Sequence, residues 1–179
     1  MNKKTMYGIV AAVVIVVVVA AVAGAYVLMN PGGGGNGNGN GNVEDVYTVE
    51  NATSLQFSVE VTPAQGEAST VNYLAKNTGS SSVLLRVEIG AGEMGNLVYI
   101  FNGAEHKAWT NVTGTWEDIS GDFATNWDQW NPLFDGYVGS LSHWESGDYT
   151  YTADNGDSVR VYGIIVNPTL DDSLFAAPA

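Results

Sequence analysis

From Ser54 to Val61 the chain alternates strictly, with Leu55, Phe57, Val59 and Val61 on one side and Ser54, Gln56, Ser58 and Glu60 on the other. This period of two is the mark of a half-buried strand. After a turn at Pro63 to Gly66 the alternation resumes in Val71, Tyr73 and Ala75. A Gly-Ser turn follows, then Val83, Leu85, Val87 and Ile89 against Leu84, Arg86 and Glu88. Asn96 to Phe101 reads as a further strand. Asn102-Gly103, where both residue types tolerate positive φ, predicts a two-residue hairpin into Glu105 to Asn111. Gly114 turns the chain into Thr115 to Ile119.

The period then changes. Phe123, Trp127, Trp130, Phe134, Tyr137, Leu141 and Trp144 are spaced 4, 3, 4, 3, 4, 3, which places all seven on one face of a helix. Pro132 suits a first turn and not a helix interior, so the pattern predicts two short helices, Phe123–Trp130 and Pro132–His143. Period two returns in Asp148 to Ala153 and Asp157 to Val166, joined at Asn155-Gly156, and Pro168 ends the last strand. The domain this describes, 43–179, is mainly β (α+β): an antiparallel sheet covered by short helices.

A different pattern precedes it. Gly8 to Met29 is 22 residues of Gly, Ile, Val, Ala, Tyr, Leu and Met without a charge, and as a helix it measures about 33 Å against a hydrocarbon core of about 30 Å. Residues 8–29 therefore read as one transmembrane helix. Lys3 and Lys4 lie before it and no cation follows until Lys76, so residues 1–7 are expected in the cytoplasm and the domain outside, a single-pass arrangement in the cytoplasmic membrane. The competing reading is a cleaved signal peptide, with Ala23-Gly24-Ala25 as the cleavage site, but the apolar run continues past that point. Residues 30–42, almost pure Gly and Asn, have nothing to bury and form a flexible tether with a span of about 20 Å.

Charge narrows the partners. All 19 acidic residues lie beyond Val43, opposed there by four basic ones, a formal charge of −15, which makes nucleic acid and anionic headgroups poor partners. Without cysteine there is no disulfide and no site for a thioether-linked lipid. The two histidines, His106 and His143, have no serine or acidic partner at a recognisable spacing, so no catalytic constellation, cofactor motif or metal site is expected. His106 reads as a solvent-facing strand residue. Asp154-Asn155-Gly156-Asp157 and Asp171-Asp172 read as turns and not as metal ligands. Asn51-Ala52-Thr53 and Asn111-Val112-Thr113 are glycosylation sequons, with Asn51 and Asn111 as candidates. The informative excess is apolar: an aromatic stripe opposite antiparallel strands, which either closes a solid core or roofs a cavity. Pattern alone favours the solid core.

Asn96 to Gly103 followed by Lys107-Ala108-Trp109-Thr110 resembles the "I-x-S-D-G-K-T-L-W" hairpin of the outer-membrane lipoprotein carrier (LolA-like) superfamily. Thr169 to Phe175 with Pro178 is similar to that family's closing "L-D-D-S-L-F…P" segment, and Val83 to Glu88 sits where carriers have a strand ending "R-x-E-Y". The resemblance implies an unclosed, strongly curved antiparallel β-barrel plugged by helices, one before the first strand and others between the middle strands. It also implies a non-catalytic role, holding a lipid, an acyl chain, lipoprotein cargo or another hydrophobic ligand. By position, Leu55, Phe57, Val59, Leu85, Val87, Tyr99, Phe101 and Trp109 would line the sheet side of the cavity and Trp127, Trp130, Phe134 and Tyr137 the lid side, with Arg86 matching an arginine that helps hold the lid. Two departures set this chain apart: it is tethered, and it lacks a lipid-attachment cysteine. Anchor, tether, sequons and acidity together fit an archaeal cell surface. The reading is a membrane-anchored domain that binds a hydrophobic ligand; the alternative is a structural or adhesive surface protein whose aromatics fill a solid core.

Overall fold

The computed structural model describes residues 48–90, 95–153 and 155–176; the anchor, the tether and the first residues of the domain lie outside them. Among the described residues no helix is long and apolar enough to cross a membrane.

Eight strands form one antiparallel sheet: β1 Ser54–Thr62, β2 Ser69–Lys76, β3 Leu84–Gly90, β4 Asn96–Asn102, β5 Lys107–Thr110, β6 Glu117–Asp118, β7 Tyr149–Thr152 and β8 Ser158–Val166. Their order is β6-β5-β4-β3-β2-β1-β8-β7, so β1 to β6 run as a meander, β8 returns to pair with β1, and the sheet stays open, with β6 and β7 at its edges. This connectivity explains the one α-helix among the described residues, α1 Phe123–Ser140. The chain leaves β6 at one edge and must reach β7 at the other, across eight strands spaced about 4.8 Å apart. Eighteen residues of helix span about 27 Å of that distance. Lying across the sheet, α1 turns its aromatic stripe onto one face.

The register follows the alternation read in the sequence. Phe57 pairs with Tyr73, Tyr73 with Val87 and Val87 with Tyr99, a row of inward side chains across four strands. In β8 the alternation breaks on purpose: Gln56 faces Ile165 but Ser58 faces Tyr162, so Gly163 and Ile164 together oppose Phe57. Gly163 takes φ +62°, the left-handed first position of a bulge. The extra residue flips the phase, so Ile164 and Val166 pack against the same core as Val159 and Val161.

Several details differ from the sequence expectations. The helical segment is one helix and not two, with Pro132 in its interior. Pro132 lies on the exposed face, so its ring meets solvent and not the core, and its missing N–H leaves only the Asp128 carbonyl without an intrahelical donor. The helix ends at Ser140, and Leu141 to His143 form a turn. Asn102-Gly103 does not form a two-residue hairpin. Asn102 still pairs with Lys107 and its Oδ1 accepts from the Glu105 N–H at 3.1 Å, capping a four-residue turn, Gly103–His106, in which His106 takes φ +52°. His106 is thus an exposed turn residue, not a strand residue. The strand expected over Thr115 to Ile119 shrinks to β6; just beyond it the Ile119 N–H donates to the Ala108 carbonyl at 2.9 Å, and the Ser120 Oγ accepts from the Ala108 N–H at 3.0 Å. Before β1 there is a single 3-10 turn, Val49–Asn51, among the described residues.

The sheet's other face carries a second, smaller core. Val98, Ile100 and Phe175 are buried there, with Leu74, Leu84, Trp109, Leu170 and Leu174 packed around them. The closing segment after Pro168 crosses this face as a strap. Asp171 Oδ1 accepts from the Ser173 N–H at 2.8 Å, which starts the 3-10 turn Asp172–Phe175. Asp172 pairs with Lys76, whose ammonium also donates to the Leu170 carbonyl at 3.2 Å.

Candidate ligand site

The inner face gathers most of the side chains that the resemblance placed in a cavity. Leu55, Phe57, Val59, Leu85, Val87, Tyr99 and Phe101 lie on it, and Trp127, Trp130, Phe134 and Tyr137 descend from α1. They interlock. Phe57 stacks on Tyr73 at 5.2 Å and on Phe134 at 5.8 Å, Tyr137 meets Tyr73 at 5.8 Å, and Trp130 meets Tyr99 at 5.3 Å. Trp130 and Tyr73 are 0 % exposed and Phe57 1 %, so at the centre helix and sheet touch ring to ring. Tyr73, at the middle of this cluster, belongs to the alternating pattern of β2 but was not among the expected site residues.

Two expected residues face the other way. Trp109 packs against Val98 and Ile100 in the outer core, because Ala108 pairs with the inward Phe101 and Trp109 with the outward Ile100, which makes Ala108 and Thr110 the buried inner-face residues of β5. Arg86 alternates with the inward Leu85 and Val87. Its guanidinium donates to Glu88 at 2.7 Å and to the Leu174 carbonyl at 3.0 Å, so it clasps the strap and not the helix.

Closure of the inner face has a cost. The Tyr73 and Tyr137 hydroxyls and the Trp130 indole N–H are buried without a hydrogen-bond partner, each worth about 1–3 kcal/mol of lost hydration. Burial also pushes the Tyr73 phenol far up. Burial, then the neighbouring Tyr73 and Tyr151, do the same to Tyr137. Burial, opposed by a hydrogen bond with Thr110, raises Tyr99, and burial followed by Tyr149 brings Tyr151 to about 12.

Along α1 from Phe123 to Asp135 the packing opens into a groove of about 600 Å³. One wall is the β2–β3 loop, Gly79 to Val83, zipped to the β4–β5 turn by the Gly103 N–H, which donates to the Val83 carbonyl at 2.9 Å. The approach is close enough that a Cβ on Gly103 would sit 3.0 Å from that oxygen. The other wall is helical: Phe123, Trp127, Asp128, Asn131, Phe134 and Asp135. His106, Phe123 and Trp127 form a ladder of three nearly parallel rings, 5.1 and 5.3 Å apart, which ties the turn to the helix. Asn131 Nδ2 donates to Asp135 at 2.8 Å. Partial enclosure pushes the Asp135 carboxyl above its ordinary range, with that hydrogen bond pulling the other way. Of the expected cavity residues only Trp127 and Phe134 line this groove. Asp128, Asn131 and Asp135 were legible as a polar stripe, spaced 3 and 4, beside the aromatic one.

The sequon asparagines sit differently. Asn51 is exposed at the end of its 3-10 turn, with Oδ1 accepting from the Thr48 N–H at 2.8 Å. Asn111 is half-buried and extends the β4–β5 ladder, its Oδ1 accepting from the Val98 N–H at 2.6 Å and its Nδ2 donating to the Asn96 carbonyl at 3.3 Å. Among the described residues no three His, Asp or Glu side chains are placed to share a metal ion. Asp157 serves the turn instead, accepting from the Ala64 N–H at 3.2 Å and from Asn155 Nδ2 at 2.7 Å.

Compared with known proteins, the sequence matches no protein-family model and no curated protein.

Proposed function

We propose that this domain is a non-catalytic binding module for a lipid or other hydrophobic ligand, held at the outer face of the cytoplasmic membrane by residues 8–29. The observation that carries the reading is the groove beside α1. Its inner wall is Phe134, a ring 3 % exposed that stacks on Phe57 in the core, so an apolar chain entering the groove meets the helix–sheet seam end-on. The seam is also where the unpartnered Tyr73, Tyr137 and Trp130 groups lie, and the free energy they withhold from the closed form lowers the cost of lifting α1. In this reading the sheet is the concave half of an unclosed barrel, as the resemblance to lipoprotein carriers implies, and α1 is its lid. The tether keeps the module within reach of its own membrane, where it presents or senses a lipid and does not ferry it.

The second reading, a structural or adhesive surface domain, is favoured by the completeness of the ring-to-ring packing around Trp130 and Tyr73. Native mass spectrometry before and after organic extraction separates the two. A discrete co-purifying mass that extraction removes, and that added lipid restores, is the expected result. A bare protein mass that takes up no added lipid assigns the structural role.

A further inference from the structure

The fold treats the two sequons in opposite ways. In Asn51-Ala52-Thr53 the middle residue is buried and the outer two are exposed. Ala52 is extended, so the side chains on either side of it point away from the core, and Asn51 and Thr53 face water together. Asn51 is held through Oδ1, which accepts from the Thr48 N–H at 2.8 Å; its Nδ2 takes no part in that contact. The Thr53 hydroxyl donates to Asn167 Oδ1 at 3.1 Å, an oxygen that also accepts the Thr53 and Ser54 N–H groups at 2.7 and 3.3 Å. Withdrawing the hydroxyl therefore leaves Asn167 satisfied. Asn111-Val112-Thr113 is instead built into the sheet, with all three residues half-buried. Asn111 spends Nδ2 on the Asn96 carbonyl, Oδ1 on the Val98 N–H and its own N–H on the Val98 carbonyl. Val112 packs against the main core, and the Thr113 hydroxyl donates to Glu117 at 2.6 Å.

We propose that Asn51 is the N-glycan acceptor of this domain and that Asn111 is not. The proposal rests on the reading that residues 8–29 hold the domain outside the cytoplasm. The co-reactant is an oligosaccharide linked through phosphate to a membrane lipid. A bond forms between Asn51 Nδ2 and the anomeric carbon of the sugar, the anomeric carbon–oxygen bond breaks, the lipid phosphate leaves with its electron pair, and one Nδ2 proton is released. At Asn51 the acceptor nitrogen and the Thr53 hydroxyl reach an enzyme from one wet side, and the bulky product stays in solvent. At Asn111 the same bond requires the side chain to leave the β4–β5 ladder, which strips the Val98 N–H of its partner in a half-buried place. Chain position favours the same choice. Asn51 lies nine positions after Asn42, where the tether ends, and so remains close to the membrane that holds a lipid-linked donor.

The test incubates the full chain, folded in phosphatidylcholine nanodiscs, with a single-subunit oligosaccharyltransferase that accepts Asn-x-Thr and with its lipid-linked oligosaccharide. Two synthetic peptides, 47–57 and 107–117, are run beside it as unfolded controls. Intact mass and glycopeptide sequencing read the products. Both peptides are expected to be modified, the full chain to gain one glycan, on Asn51, and the Asn51→Gln chain to gain none while its circular dichroism stays unchanged. A glycan on Asn111 of the folded chain overturns the assignment, and so does an Asn51 that stays bare in the chain or in its peptide. An Asn111 peptide that also stays bare overturns the part given to the fold. Protease added outside intact cells tests the reading beneath the proposal: a domain that survives there overturns the exported placement and the proposal with it, whereas a digested domain with Asn51 bare overturns the acceptor assignment alone.

Discussion

The two halves of α1 are attached to the same sheet by different means. From Trp130 onward the helix is sealed: Trp130, Leu133, Phe134 and Tyr137, with Leu141 just beyond, are between 0 and 7 % exposed. Before Trp130 it is only tacked down, by half-buried Phe123 and Trp127 and the ring ladder to His106. Buried area decides the difference, since a fully buried aromatic side chain contributes far more than one that keeps half its surface in water. One helix thus has a fixed end and an end able to give, and the groove runs from the latter to Phe134 and Asp135 at the start of the former.

Truncation of one ring from each half is the largest test of that contrast. Trp130→Ala removes a ring that is 0 % exposed and packed on Tyr99, and should cost about 3–5 kcal/mol. Phe123→Ala removes a ring that still meets solvent, and should cost about 1–2 kcal/mol on the smaller area it buries. Denaturant midpoints of the two variants, read at constant slope, measure both. Equal losses would mean that the helix is held uniformly and that its N-terminal half is no more able to move than the rest.

Pro132 stands at the junction of the halves, exposed and inside the helix. A helix-interior proline is about 3 kcal/mol worse than alanine, and alanine gives back part of that through a freer unfolded chain. Pro132→Ala is therefore expected to stabilise the domain by about 1–2 kcal/mol, seen as a higher melting temperature, and to couple the two halves more tightly. A loss of stability instead would show that the proline's local geometry is what lets Trp130 and Leu133 seat together.

The strands were legible wherever one face is buried and the other wet, since period two then follows from the pleat itself. Leu55 to Val61 and Val83 to Ile89 read correctly for that reason. Where both faces are covered the signal vanishes: Leu97 to Phe101 is buried at every position, and nothing in its pattern tells that Val98 and Ile100 belong to a second core under the strap. The helical stripe was equally plain, but the break predicted at Pro132 was not there, because tertiary packing on both sides outweighs the local penalty of one exposed proline. Of the candidate site, the aromatic contribution from α1 was readable and so was the outward face of Arg86, which alternates with Leu85 and Val87; the cavity placement of Arg86 and Trp109 came from the resemblance and not from strand phase. The groove was hidden for a further reason: its far wall comes from two turns, at Ser80-Ser81 and Gly103–His106, that only the fold brings together.

Alkali and one missing oxygen probe the sealed half most finely. The Tyr73, Tyr137 and Tyr151 phenols are all raised in the folded protein by burial, so each keeps its proton when the unfolded chain has already lost it. Their contribution to stability is complete below the ordinary tyrosine range near pH 10 and is lost as pH rises toward the folded values, about 12 for Tyr151. Unfolding and the ionisation of Tyr73 and Tyr137, followed residue by residue by NMR, should rise together above pH 10; ionisation of either well before unfolding would mean that the seam already opens in the native protein. Tyr137→Phe then distinguishes an empty seam from one that holds a polar occupant. Its hydroxyl is buried without a partner, so deleting that oxygen while keeping the ring should be neutral or stabilise by up to about 1 kcal/mol. If water or a ligand group satisfies the hydroxyl, the same change instead destabilises by about 1 kcal/mol, and the sign would survive repeated washing only for water. A destabilised variant that returns to neutral after organic extraction would place the ligand's polar atoms against Tyr137, inside the seam and beyond Phe134.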